Sequence, residues 1–176
     1  MVGLPDAACR EARDRVRAAL QSSGLPWPMR RITVNLAPPT LKKVGSGLDL
    51  AIAVALLVAT GEVSQDGVGH RSFLGELGLD GTVRPVSGTI CLAEALGEAA
   101  VVLPTASAPE AGLLGDRVVH PVASLSEVVA CLKGDELWPT AGVAPLAPAR
   151  PALPDLADVR GQPVARYALE VAAAGG

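Results

Sequence analysis

The chain is 176 residues long, 49% apolar but only 2% aromatic, and carries a net charge of −3. That length holds one core, or one core with a short appendage, and leaves no room for two large domains. The charge balance gives no chain-wide attraction to nucleic acid or to an anionic membrane, so any such contact must be local. With so few rings, the interior must be filled by Ala, Val, Leu and Ile, which suits α/β layers packed through small side chains. The longest strongly apolar run, 50–59, is about half of what a membrane-spanning helix needs. No basic stretch followed by an apolar one opens the chain, so no secretion signal or membrane contact is expected. Cys9, Cys91 and Cys131 are odd in number and lack C-x-x-C spacing. They read as reduced, mostly buried thiols of a cytoplasmic protein.

In chain order, Leu4-Pro5-Asp6 sets up a helix start, with Asp6 and Glu11 near its positive end. Ala8, Ala12, Val16, Ala19 and Leu20 recur at helical spacing, Glu11 and Arg15 form an i,i+4 pair, and Ser22-Ser23-Gly24 ends the helix. Leu25-Pro26-Trp27-Pro28 breaks the pattern, and 31–36 alternates like a strand. A Pro- and Gly-rich loop over 37–47 leads to a nearly all-apolar helix over about 48–60, with Asp49 in its first turn. Strands over 73–79 and 82–86 are joined by Asp80-Gly81, a strong hairpin signal. Beyond it come a helix at 89–98, a buried strand at 100–103, a short helix at 108–114, a strand at 117–122, and a helix at 125–133 closed by Gly134. This alternation predicts an α/β class, or α+β with a mixed sheet.

Five prolines between 135 and 154 read as a semi-extended linker, after which 155–176 regains order with a helix begun by Gly161-Gln162-Pro163. Asp49 and Glu76 are the carboxylates of most interest; helix-dipole complementarity and an outward-facing strand position account for them without catalysis. His70 and His120 have no partners at metal-ligand spacing, so no metal site is expected. Arg10, Arg13, Arg15, Arg17, Arg30, Arg31, Lys42 and Lys43 concentrate positive charge in the first quarter. A solvated helix face explains that concentration simply; a surface that contacts DNA or a neighbouring subunit is the sharper reading.

Two resemblances add to this. The end of the chain, Asp158-Val159-Arg160-Gly161-Gln162-Pro163 through Ala172-Ala173-Ala174-Gly175-Gly176, resembles the opening of the AAA+ ATPases closest to magnesium chelatase. In that group the Val-x-Gly-Gln turn lies beside adenine, which would place Val159, Gly161 and Gln162 on the adenine side if an ATPase core were present. A phosphate loop needs G-x-x-x-x-G-K-[ST], because backbone amides cradle the phosphates while the Lys and hydroxyl serve the γ-phosphate and Mg²⁺. That pattern occurs nowhere in the 176 residues, so no ATP hydrolysis is expected of them.

Residues 1–134 resemble the N-terminal part of the ComM/YifB group, magnesium-chelatase-like proteins with a Lon-protease-like domain ahead of their ATPase. The matching stretches are Val2-Gly3-Leu4-Pro5-Asp6-Ala7-Ala8, Arg15-Val16-Arg17-Ala18-Ala19-Leu20 and Arg31-Ile32-Thr33-Val34-Asn35-Leu36-Ala37-Pro38. They continue with Lys43-x-Gly45-Ser46-x-x-Asp49-Leu50 and Phe73-Leu74-Gly75-Glu76-Leu77-x-Leu79-Asp80-Gly81-x-Val83-Arg84-Pro85-Val86. The resemblance implies a Lon-protease-like fold, also described as ribosomal protein S5 domain 2-like, over 1–134, then a linker over 135–154 and the first helix of an AAA+ module over 155–176. Members of the group carry more strand ahead of the Val-Gly-Leu-Pro segment, which implies a chain shortened at its front.

Active Lon proteases use a Ser-Lys dyad, in which a desolvated, neutral lysine acts as base toward the hydroxyl. In the matching loop the nucleophile position falls on Gly47, with Ser46 one residue early, and the lysine position falls on Ile90. Ser46 with Lys43 remains the residual candidate pair. The resemblance implies for the parent protein a ring-forming ATPase using ATP and Mg that moves along DNA in branch migration during transformation and recombination. This part would contact the AAA+ core and ring neighbours, without a cofactor of its own. A Ser46-dependent peptidase and a magnesium chelatase subunit are the alternatives.

Overall fold

A computed structural model describes residues 2–3, 6–38, 40–97, 100–111, 113, 115, 117–141 and 155–175, the side chain of Ala8 excepted. The chain divides into two compact units, Met1–Ala144 and Pro145–Gly176. The class is mixed α/β, as the alternation of elements predicts.

In the first unit, α1 spans Ala7–Ser22 and begins where Asp6 accepts a hydrogen bond from the Cys9 amide at 2.7 Å. An aspartate N-cap satisfies one of the amides a helix start leaves unpaired. Ala12, Val16, Ala19 and Leu20 form its buried stripe. They pack on α2, Asp49–Thr60, whose Leu50, Ala53 and Leu57 are almost completely enclosed. Each buried leucine contributes about 1.5–3 kcal/mol relative to an exposed one. Gly61 ends α2 in the left-handed conformation. A four-residue helix, α3 (Gln65–Val68), leads into the sheet.

Three parallel strands, β1 (Arg71–Phe73), β4 (Ala100–Pro104) and β5 (Val119–Val122), lie in the order β1-β4-β5. A separate antiparallel pair joins β2 (Glu76–Leu77) to β3 (Val83–Arg84). Helices α4 (Thr89–Ala95), α5 (Ala108–Ala111) and α6 (Leu125–Lys133) fill the connections. The central strand β4 is buried on both faces. Val102 joins the main core with α1, α2 and α6, while Val101 and Leu103 pack with Ala93 of α4 and Ala111 of α5. That double burial is why 100–104 reads as a continuous apolar run and not as an alternating one.

Three expectations change. The strand expected over 73–79 is two strands: Phe73 ends β1 in the parallel sheet, and Glu76 begins the hairpin. The break is at Gly75, whose φ of 153° suits glycine. There the Leu74 amide still bonds Val102 O at 2.9 Å, but the Gly75 amide turns to Gly47 O at 3.1 Å, and Gly75 O accepts from Leu50 N at 3.1 Å. The second change concerns 31–36, which forms only a single parallel bridge, Val2 with Asn35. Alternation prepares a strand, but a ladder needs a neighbour, and among the described residues only Val2 supplies one. The third concerns the Pro-rich stretch, whose first part belongs to the sheet unit: Trp138 packs 6.5 Å from Phe73 and 5.1 Å from His120, centroid to centroid, and the Ala141 amide bonds Val119 O at 3.0 Å. Residues 142–154 of that stretch, Leu4 and Pro5 of the expected helix start, Glu98 of the expected 89–98 helix, and Gly112 and Leu114 of the expected 108–114 helix lie outside the described residues.

In the second unit, a 3₁₀ turn at Leu156–Asp158 precedes α7, Pro163–Gly175. No described helix is long and apolar enough to cross a membrane.

Candidate functional site

The loop 43–47 and the strand β2 meet over an open cleft of about 600 Å³. Asp6 positions the loop: its second carboxylate oxygen accepts from the Gly45 amide at 3.0 Å, and its own amide bonds Lys43 O at 3.0 Å. Amide bonds to its two oxygens, from Cys9 first and Gly45 next, hold the Asp6 carboxyl below the usual aspartate range. One residue therefore caps α1 and ties down the loop that lines the cleft.

The cleft holds both residual candidates, Ser46 and Lys43, and Gly47 of the matching loop. Lys43, Ser46, Gly47, Glu76, Val86 and Leu92 are among its walls. Ser46 and Lys43 nevertheless do not form a pair with each other. The Ser46 hydroxyl donates to Glu76 Oε2. The Lys43 ammonium donates to the carbonyl oxygens of Pro38 and of Leu41, the latter at 2.8 Å. A lysine base must lie within hydrogen-bond reach of the hydroxyl it serves, and Lys43 is bonded to loop carbonyls instead. At Gly47 a Cβ would stand 3.3 Å from Val86 Cγ2, closer than ordinary contact, so Val86 sits over the position where a nucleophile's side chain would project. Ile90 is half-buried in the first turn of α4.

Behind the cleft lies an ion pair that local sequence reading misses. Asp49 is 0% exposed and receives two bonds from Arg15, Nε to Oδ2 at 2.6 Å and Nη2 to Oδ1 at 3.0 Å. The Leu77 amide adds a third at 3.2 Å. Asp49 thus joins α1, α2 and the hairpin, a structural role larger than dipole complementarity alone. Burial is the largest influence on its carboxyl and pushes it up, with the Arg15 bonds and the Leu77 amide pulling the other way. The same bonds raise Arg15 and keep it charged. The expected Glu11–Arg15 contact exists at 3.6 Å but is the exposed, weaker side of Arg15. Two signals could have found the pair: an aspartate opening an otherwise apolar helix needs a buried counter-ion, and Arg15 flanks the apolar stripe of α1.

Glu76, expected to face outward on its strand, is half-buried and turned into the cleft toward Ser46. His120 bonds Pro139 O through Nδ1 at 2.8 Å and lies against Trp138, over which Arg71 stacks at 4.8 Å. His70 is exposed. Cys9 and Cys131 are buried with thiols pushed up by that burial, while Cys91 is exposed on α4. In the second unit, Val159, Gly161 and Gln162 form the turn between the 3₁₀ segment and α7. Gly161 has a φ of 73°, and Gln162 O accepts the first helical bond from Arg166 N at 3.0 Å. The turn is exposed and carries no lysine or hydroxyl suited to phosphates, so these residues alone do not fit ATP and Mg²⁺.

The structure defines the class as mixed α/β, with a small parallel sheet and a separate hairpin. The family described as subunit ChlI of Mg-chelatase matches residues 1–107. The chain therefore belongs to that family. It is 41% identical to YifB of Salmonella typhimurium over 181 residues, covering 100% of this chain and 35% of that protein. The competence protein ComM of Haemophilus influenzae is 37% identical over 181 residues, covering 99% and 36%, and an uncharacterised protein of Mycobacterium tuberculosis is 45% identical over 179 residues, covering 99% and 35%. The chain thus spans about a third of the length of the curated relatives it matches.

Proposed function

We propose that this chain is a catalytically silent, Lon-like accessory domain of a ComM/YifB-type AAA+ ATPase. The parent protein moves along DNA in ATP-dependent branch migration during transformation and recombination, and this part acts in the cytoplasm by contact with the ATPase core, ring neighbours or DNA. The observation that carries the reading is the cleft: Lys43 is spent on backbone carbonyls, Ser46 on Glu76, and Val86 lies over Gly47. The likeness to a competence protein supports the biological setting.

Deleting the gene should lower uptake-dependent recombination of transforming DNA and leave magnesium insertion into porphyrin unchanged. Lost magnesium insertion with normal transformation would support the second reading, a magnesium chelatase subunit, which the family's own description favours. The purified 176-residue chain should show no ATP turnover, and hydrolysis by clean protein contradicts the assignment.

A further inference from the structure

Two adjoining clefts on the face made by α1, α2 and the 26–34 segment fall outside the site above. One, of about 350 Å³, has Arg13, Arg17 and Arg30 around a floor of Val16, Ile52 and Leu56, with Trp27 at its side. The other, of about 620 Å³, shares Arg30, Ile32 and Leu56 and adds Arg31. Among the described residues, no carboxylate lines either one. The nearest acid engagement is Arg13 with Asp14 at 3.1 Å, both largely exposed, a pair that salt screens easily. Four guanidinium groups therefore ring one groove in a chain whose total charge is −3. Arg17 already lies 5.8 Å from the Trp27 ring centroid, and Trp27 is half-buried with part of its surface open.

We infer that this groove binds single-stranded nucleic acid, with phosphates on Arg13, Arg17, Arg30 and Arg31 and a base against the open parts of Trp27 and Ile32. The inference deepens the DNA reading above and rests on it for the choice of polyanion; the groove itself supplies the single-stranded form. A duplex hides its base faces and offers phosphates alone, leaving the open apolar surface of Trp27 and Ile32 unused. An unpaired strand satisfies both halves, because arginines track the backbone while aromatic and apolar surface takes the base faces without regard to sequence. Arginine also suits the task through its planar, always-charged fork.

The test is titration of the 176-residue chain with a fluorescently labelled oligo-dT at several salt concentrations, alongside a duplex of the same length and poly-glutamate. Up to four phosphate contacts predict a slope of log affinity against log salt of about −2 to −3. Arg17→Ala with Arg30→Ala should lower affinity at least about ten-fold and flatten the slope by about 1.4, with circular dichroism unchanged. Trp27→Phe should remove the quenching of indole fluorescence on binding while leaving affinity within a few-fold. Equal oligo-dT binding by the double variant would overturn the groove and leave the DNA reading standing. Absence of wild-type binding at 50 mM salt, about the lower end of the usual range, would overturn the groove, and the DNA reading would then fall only if transformation also survives gene deletion. Binding of duplex or poly-glutamate as tightly as oligo-dT would overturn it too, as would self-association abolished by the same arginine variants, which assigns the face to a second copy.

Discussion

Asp49 and Glu76 bracket the same few residues, yet one is locked in the core and the other lines an open cleft. The Asp49 amide bonds Ser46 O at 3.1 Å, and its carboxylate takes the Leu77 amide; Glu76, next in sequence to Leu77, takes the Ser46 hydroxyl. The inner carboxylate faces a cation across helices, at 0% exposure, and holds three elements together. The outer one accepts from the Ser46 hydroxyl and lines an open cleft. A Ser-Lys dyad would need its lysine beside the Ser46 hydroxyl, and that hydroxyl meets Glu76 instead, with Lys43 bonded to loop carbonyls. The difference teaches that the polar groups of this region serve architecture first, with the cleft as their outer surface.

The sharpest way to break that comparison is at the inner carboxylate. Asp49→Ala leaves Arg15 without its partner and the Leu77 amide without an acceptor, and should cost about 3–5 kcal/mol in denaturant unfolding. Replacing both charges, Asp49→Leu with Arg15→Met, should recover most of that loss, since a well-packed apolar pair substitutes for a buried ion pair at little cost. Equal instability of the single and double variants would show that the pair is not the source of the effect.

Next in size is the junction that feeds both carboxylates. Gly75→Ala places a Cβ 2.8 Å from Val83 Cγ1 at a φ of 153°, and should destabilise by about 1–3 kcal/mol. Hydrogen exchange should quicken at Leu50 and Gly75, the amides that this turn pairs. A neutral substitution there would mean that the strand need not break at Gly75.

In the cleft, Ser46→Ala and Lys43→Ala should each change stability by less than about 1 kcal/mol, because water replaces the lost groups in an open space. The pH dependence separates the regions by sign. Hydrogen bonds hold Asp6 and Asp80 below the ordinary aspartate value, the Cys9 amide acting first on Asp6 and the Thr82 hydroxyl first on Asp80. Their contribution is present above that ordinary value and is lost as pH falls through their lower folded values, below about pH 4. Asp49 is raised, so the folded state takes up its proton more readily and its contribution declines as pH rises through the folded value. Carboxyl carbon titration by NMR should therefore find Asp49 above Asp6 and Asp80, and Asp6→Asn should blunt the acid transition.

Local pattern made much of this legible. The stripe of Ala12, Val16, Ala19 and Leu20, the Asp80-Gly81 turn and the apolar 100–104 run each state their environment in a few adjacent residues. What failed to show were relations between distant residues. Arg15 has two carboxylates within reach, and only tertiary packing selects Asp49, 34 positions away, over Glu11 on the same helix. The split at Gly75 depends on which strand lies beside Leu74, and the single bridge at Asn35 on what lies beside 31–36. Trp138 looked like linker because prolines follow it, yet its ring finds Phe73, Arg71 and His120. At the cleft, the sequence placed Ser46 and Lys43 near each other, while their bonding to Glu76 and to loop carbonyls belongs to geometry alone.

The most direct test of a silent cleft is treatment of the 176-residue chain with a hydroxyl-reactive fluorophosphonate, followed by mass spectrometry of the peptide containing Ser46. The account predicts no adduct at Ser46 above the level of other exposed serines. A stoichiometric Ser46 adduct, abolished by Ser46→Ala and reduced by Lys43→Ala, would contradict it and make this cleft a working Ser-Lys site.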